Sequence, residues 1–349
     1  MACVLNTEGS HLLDHTAPLA SLGKMPLLVT EEENAVLAAK YYPEVELRFW
    51  PDLEFRLKDL AAEFDCLIES KYWAPHLKQL FRNCFQKEMQ LIFCPHGQSD
   101  KGYGAPLLAP YQAQDGVLLY GDLLKEMLQE LNIWDSIQAH ATIGNYRLHY
   151  FQKHRERLLA FAQQEVFSKL NSANKTLLYA PTWRDADQSS TFFAFSKKLI
   201  QELPEEWNLI LKIHPLLEKR DPALFYRLAI FEEKRKNFTF VHEFPLVYPL
   251  LEKVDAYLGD YSSIGYDFLA FQKPMFFLQT PSVLPGRLHS CGKILSPDEN
   301  IFAAIEKAED LKQVQSALYA KAFAPYDPLW QKKIIQCSWA GEHRGKRAR

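Results

Sequence analysis

The chain has no excess of positive charge. Lys and Arg total 40 against 43 Asp and Glu among 349 residues, a formal net charge of −3. Nonspecific nucleic-acid binding rests on a basic field, so nucleic acid is a poor fit as partner. The six cysteines, Cys3, Cys66, Cys84, Cys94, Cys291 and Cys337, form no CxxC pair and show no close Cys/His spacing. That argues against a structural zinc site and fits reduced thiols in the cytosol. No cluster of metal ligands stands out, so neither a metal nor a cofactor is expected. No apolar run approaches the roughly 20 residues of a membrane span. The first 23 residues carry Glu8, His11 and Asp14 without a basic region followed by an apolar core, which argues against a signal peptide. Low-complexity tracts and internal repeats are absent too.

What is present is a hydrophobic fraction of 48% with 13% aromatics, over a length that suits two domains, each with its own core. Short apolar runs alternate with amphipathic ones. In the first half the expected strands are 26–30, 65–69, 89–94, 116–120 and 139–143, with a helix over 31–41 that has glutamates in its first turn. A helical stretch over 151–172 leads to a second series: strands at 176–180, 208–213, 238–241, 256–259 and 275–278, and helices at 194–202, 223–234, 246–253 and 264–272. Repeated βα units of this length predict parallel, doubly wound sheets, hence a bilobed α/β protein with an interdomain cleft. The expected division is a first lobe at 1–150, a connecting segment at 151–172 and a second lobe at 173–322. Residues 323–349 are expected to pack back toward the first lobe and end in a basic tail.

Ligands of open α/β sheets bind beyond the carboxyl ends of the strands. Four expected strand ends carry donors or titratable groups: Pro95-His96-Gly97-Gln98-Ser99-Asp100-Lys101 after Cys94, Pro181-Thr182-Trp183-Arg184-Asp185 after Ala180, His214-Pro215 after Ile213, and Asp260-Tyr-Ser-Ser-Ile-Gly-Tyr-Asp267 after Gly259. The last reads as an anion cradle at a helix start: Ser262 and Ser263 offer hydroxyls, the first-turn amides are unpaired, and Gly265 leaves room for a ligand beside the backbone. Read structurally, the same residues are ordinary capping residues. His96 and His214 have the alternative reading of structural loop histidines, and Arg184 that of a solvated ion pair.

Leu178-Tyr-Ala-Pro-Thr-Trp-Arg-Asp185, Leu211-Lys-Ile-His-Pro215 and Gly259-Asp-Tyr-Ser-Ser-Ile-Gly-Tyr-Asp-Phe268 together resemble the CDP-glycerol glycerophosphotransferase family of teichoic-acid-type polymer synthesis. In the first half, His96-Gly97 with Lys101 resembles its His-Gly-Thr-Pro-Leu-Lys signature, and Ile143-Gly-Asn-Tyr-Arg147 its Gly-x-Pro-Arg element. The run Gln98-Ser99-Asp100 and the pair Asn145-Tyr146 depart from those patterns. The resemblance implies a GT-B fold of two Rossmann-like lobes. It also implies transfer of glycerol phosphate from CDP-glycerol, or a related CDP-polyol, to a hydroxyl of a lipid-linked or polymer acceptor, with release of CMP. By this resemblance His96 is the candidate base, and His214 is the second catalytic candidate, donating to the diphosphate and stabilising the departing CMP. His214, Thr182, Arg184, Ser262, Ser263 and Asp260 line the donor diphosphate, with Asp260 organising its loop, while Gly97, Lys101 and Arg147 lie on the acceptor side. The expected location is cytoplasmic, with peripheral contact to the inner membrane face. A nucleotide-sugar glycosyltransferase or epimerase, and a noncatalytic binding protein, are the alternatives on the same fold.

Overall fold

The computed structural model describes residues 1–100, 108–182, 190–214, 222–279 and 284–334. They form two compact units. The first comprises 1–98, 108–152 and 321–334, and the second 99–100, 153–182, 190–214, 222–279 and 284–320.

The first unit is built on a seven-stranded sheet whose adjacent strands all pair parallel. Its strands are β1 (Ala2–Asn6), β2 (Leu27–Val29), β3 (Leu47–Phe49), β4 (Cys66–Glu69), β5 (Gln90–Phe93), β6 (Gly116–Leu119) and β7 (Ala139–Thr142), in the order β3-β2-β1-β4-β5-β6-β7. The direction of winding therefore reverses between β1 and β4, which is where such sheets accept ligands. Strands covered on both faces read as continuous apolar runs, and Cys3, Val4 and Leu5 of β1 are buried in this way. Helices Leu13–Gly23, Glu32–Tyr41, Leu57–Glu63, Leu77–Phe85, Asp122–Glu130 and Tyr146–Lys153 accompany the strands. The chain returns to this unit near its end: the Ala324 amide donates to the Tyr120 carbonyl at 2.8 Å, the Asn145 amide donates to the Ala324 carbonyl at 2.9 Å, and Trp330 is buried. Gly144 makes that return possible. Its φ is +77°, and the Pro325 backbone occupies the place where a Cβ would stand.

The second unit carries a six-stranded sheet, again parallel at every pairing, of β8 (Lys175–Tyr179), β9 (Trp207–Lys212), β10 (Phe238–Val241), β11 (Ala256–Gly259), β12 (Met275–Phe277) and β13 (Lys293–Ile294). The order is β10-β9-β8-β11-β12-β13, with its reversal between β8 and β11. Tyr179, Leu209, Leu211, Phe238, Leu258 and Phe276 form a buried core with Phe195 and Leu199 of the helix Phe192–Glu202 and Leu228 of the helix Pro222–Lys234.

The architecture is the α/β, doubly wound one expected, and the expected strands agree with the observed ones within two residues at either end. Strands β1, β3 and β13 went unread, as did the helices Leu13–Gly23, Leu57–Glu63, Leu77–Phe85 and Asp122–Glu130. Near the end of the second unit lie two helices, Ile301–Ile305 and Lys312–Ala322, separated by a charged run. Among the described residues Cys3, Cys66, Cys84, Cys94 and Cys291 are free thiols. Burial raises the pKa of both Cys66 and Cys94 to about 12, so both stay protonated and inert at neutral pH.

Candidate functional site

In the second unit, the carboxyl ends of β8 and β11 meet at the reversal of strand order, and Asp260 joins them. Its carboxylate is fully buried. One oxygen accepts the Thr182 amide at 2.8 Å, and the other accepts the Thr191 amide at 2.9 Å and the Thr191 hydroxyl at 3.0 Å. Since the Thr191 hydroxyl donates to Asp260, Tyr179 must donate to it in turn, at 2.9 Å. The Asp260 charge thus fixes Thr182 and Thr191, the residues that flank 183–190. The Tyr179 and Tyr257 hydroxyls are held well above the usual tyrosine pKa, first by burial and next by the Asp260 charge.

Ser262 is the N-cap of the helix Ser263–Phe268, in extended conformation (φ −69°, ψ 137°), yet its side chain makes no capping bond to the first turn. Ser262 and Ser263 are both partly exposed. Inside the helix, Asp267 is buried and accepts the Tyr248 hydroxyl at 2.9 Å. Gly265 corrects one reading of the sequence. A Cβ there would stand 2.6 Å from Leu288 Cδ2 and 3.2 Å from the Tyr257 hydroxyl, so the space beside this glycine is taken by the unit's own side chains, not left for a ligand. His214 lies directly after β9 and is partly exposed.

Two residues that follow β5 in sequence, Ser99 and Asp100, belong to this second unit. Asp100 accepts the Tyr266 hydroxyl and the Leu288 amide, each at 2.8 Å, and Ser99 donates to the Tyr261 carbonyl at 3.2 Å. Gln98 is buried, its amide donating to the Met127 sulfur at 3.4 Å. The run that departs from the family signature therefore has structural work of its own.

In the first unit, the carboxyl ends of β1, β4 and β5 converge on His96. Its Nδ1 lies 2.9 Å from the Ser70 carbonyl oxygen. A carbonyl only accepts, so Nδ1 carries the proton and Nε2 keeps the lone pair. His11 and His15 approach the ring edge-on, with centroids at 6.5 and 6.3 Å. His96 retains exposed area, but this crowding removes enough water to hold its pKa below the ordinary 6.5. The Arg147 charge lowers it further, and the Ser70 carbonyl partly offsets both. His15, which is buried, is held well below 6.5, first by burial and then by Arg147, His96 and His11. The imidazole at 96 is thus uncharged at neutral pH, with a lone pair on Nε2.

The segment Ile143–Arg147 sits among structural contacts. Gly144 admits the Pro325 backbone, Asn145 Oδ1 accepts the Leu148 amide at 3.1 Å, and Arg147 is buried, its guanidinium paired with the Asp14 carboxylate and donating to the Asp14 carbonyl at 3.0 Å. Gly97 follows His96 with φ +118°. Lys101 and Arg184 lie outside the described residues. The structure brings together Thr182 and Asp260 at one strand-end cluster and sets His96 in another, with His11 and His15, which belong to none of the sequence motifs, as its neighbours. Both follow β1. The apolar run Ala2–Asn6 ahead of a polar loop carries the same strand-end signal that marked the other four places.

Residues 149–281 match the family described as CDP-glycerol:poly(glycerophosphate) glycerophosphotransferase. Over those residues, less than half of the chain, the sequence is similar to this family. Among curated relatives, the teichoic acid glycerol-phosphate primase of Bacillus spizizenii is 33% identical over 110 residues, 31% of this chain and 26% of its own length. The teichoic acid poly(glycerol phosphate) polymerase of Bacillus subtilis is 29% identical over 184 residues, 48% of this chain and 23% of its own. The matches to these glycerophosphotransferases thus span about a quarter of each relative. A solved structure of the wall teichoic acid polymerase TagF superposes with a TM-score of 0.63 over 98% of this chain and 90% of that one at 14% identity, which gives both units a GT-B-like fold.

Proposed function

We propose that the protein transfers glycerol phosphate, or a related polyol phosphate, from a CDP-activated donor to a hydroxyl of a lipid-linked or polymer acceptor, releasing CMP, in the synthesis of an envelope glycopolymer. The observation that carries this reading is the Asp260-Tyr-Ser-Ser segment. It lies at the reversal of strand order in the second sheet, inside the family-matching residues, with its carboxylate committed to the backbone and its two serines partly exposed.

The roles follow from the chemistry. His96 Nε2 removes the proton of the acceptor hydroxyl as its oxygen attacks the phosphorus that bears the polyol. The bond from that phosphorus to the bridging oxygen breaks, and CMP departs with the electron pair. A neutral histidine suits the first step because it can take a proton near pH 7. Ser262, Ser263 and the amides after them, with Thr182, Arg184 and His214, supply the donors that stabilise charge on the diphosphate as the bond breaks. Asp260 holds that loop in shape and does not itself meet the anion, since a carboxylate beside a diphosphate would repel it. Gly97, Lys101 and Arg147 are assigned to the acceptor side, Arg147 through its buried pairing with Asp14 and its charge near His96 rather than by touching the acceptor. Among the described residues no helix is long and apolar enough to cross a membrane, and a lipid-linked acceptor would be met by peripheral contact at the cytoplasmic membrane face.

Thermal stabilisation by a panel of CDP-glycerol, CDP-ribitol, CMP, UDP-N-acetylglucosamine and UDP tests the donor. Cytidine nucleotides are expected to raise the melting temperature and uridine nucleotides to leave it unchanged. Stabilisation confined to the uridine compounds would replace this reading with that of a nucleotide-sugar enzyme.

A further inference from the structure

His96 is anchored at two points. One is the bond from its own Nδ1 to Ser70. The other lies in the peptide bond that carries it, where the Pro95 carbonyl accepts the Tyr120 hydroxyl at 2.9 Å. With its proton spent there, the Tyr120 oxygen can only accept at the 3.1 Å contact to His15 Nδ1, which assigns that proton to His15. The result is a directed chain: His15 Nδ1–H to Tyr120 Oη–H to Pro95 C=O. His15 is fixed in turn, because its own carbonyl accepts the Tyr146 hydroxyl at 3.1 Å and the preceding Asp14 is paired with Arg147. Every member of the chain is buried.

We propose that Tyr120 and His15 are positioning residues for His96, holding the Pro95–His96 peptide so that Nε2 stays aimed at the acceptor hydroxyl. The proposal rests on the assignment of His96 as base. Neither residue touches the reacting atoms; both act through the backbone. Among the described residues, His11 from the turn Ser10–Leu12 and His15 from the helix Leu13–Gly23 face the His96 ring, and Arg147 from the helix Tyr146–Lys153, paired with Asp14, acts on it through its charge.

Tyr120→Phe removes one hydroxyl and keeps the ring, which stacks on Tyr146 (centroids 5.8 Å apart, interplanar 8°) and meets Phe323 edge-on at 5.6 Å. The fold should therefore survive. In the full chain, kcat for CMP release from CDP-glycerol is expected to fall by up to about 10²-fold, as for a catalytic group displaced by about 1 Å. The KM for the donor should stay unchanged. Nitrogen-15 NMR of the histidines supplies a readout independent of turnover: His96 should lose its single Nδ1–H tautomer in Tyr120→Phe. His15→Asn, which keeps an N–H donor toward Tyr120, is expected to retain more kcat than His15→Leu. Wild-type kcat and an unaltered His96 spectrum in Tyr120→Phe, beside an inactive His96→Gln, would overturn the positioning role alone. Full turnover in His96→Gln would instead overturn the base assignment, and the NMR spectra would still decide whether Tyr120 orients the ring.

Discussion

Asp260→Asn exchanges one carboxylate oxygen for an amide nitrogen at a fully buried position where three donors converge, the Thr182 amide, the Thr191 amide and the Thr191 hydroxyl. The single remaining oxygen can serve one side of that arrangement. On the other side, N–H faces N–H. The loss of one charge-assisted hydrogen bond costs about 1.5–3 kcal/mol, and a buried amide left unpaired costs about 1–3 more, so the expected destabilisation is about 2.5–6 kcal/mol. For a unit of this size, each kcal/mol moves the melting temperature by roughly 2–4 °C, giving a drop of roughly 5–24 °C by calorimetry or circular dichroism. Ser262→Ala and Ser263→Ala are the controls. Both serines are partly exposed, and Ser262 makes no capping bond, so each should change stability by no more than about 0.5 kcal/mol. An Asp260→Asn protein that melts within 2 °C of the wild type (roughly 1 kcal/mol or less) would refute the assignment of this carboxylate to the scaffold.

The double variant Ser262→Ala/Ser263→Ala should weaken CDP-glycerol binding by about 1.5–3 kcal/mol for each charge-assisted bond lost, measured by calorimetric titration, while the apoprotein melts as the wild type does. His96→Ala is expected to reduce turnover by about 10²–10⁴-fold with the donor dissociation constant unchanged. Because the imidazole at 96 has its pKa depressed by its crowded surroundings and by Arg147, the acid limb of kcat/KM should fall at a pH below 6.5, and a limb centred above 6.5 would contradict that environment. The same depression, larger at His15, sets the pH dependence of folding. The unfolded chain binds protons at these two side chains below pH 6.5 and the folded one resists, so stability is fully present above 6.5 and declines as the pH drops beneath it; urea denaturation at several pH values measures the slope.

Much of the second unit was legible in the sequence. Five of its six strands are continuous apolar runs such as Leu209-Ile210-Leu211, bounded by polar loops and set apart by helix-length segments, so their parallel pairing follows from spacing, whereas the two-residue β13 carries no such pattern. The same regularity places Thr182, His214 and Asp260 at strand ends from the sequence alone. What spacing could not convey is direction within a buried network. Asp260 and Ser262 stand two residues apart in one motif, yet one is spent on the scaffold and the other stays near the surface. Likewise, Gly265 looked like room for a ligand until Leu288, distant in sequence, was seen to fill it. The first unit was less legible because β1, the central strand, begins at the second residue and offers only five residues of pattern. Missing that strand hid the loop and helix after it, and with them His11, His15 and the partner of Arg147. Arg147 shows the same limit: a motif arginine at a lobe's end suggests an anion contact, and only the fold reveals Asp14 beside it.

The most direct test of phosphotransfer is CMP release by the full chain given CDP-glycerol and a lipid-linked acceptor that ends in glycerol phosphate, followed by chromatography for the wild type and His96→Gln. The account predicts acceptor-dependent CMP from the wild type and none above background from the variant. Equal background from both proteins, with CDP-glycerol left intact, would contradict it.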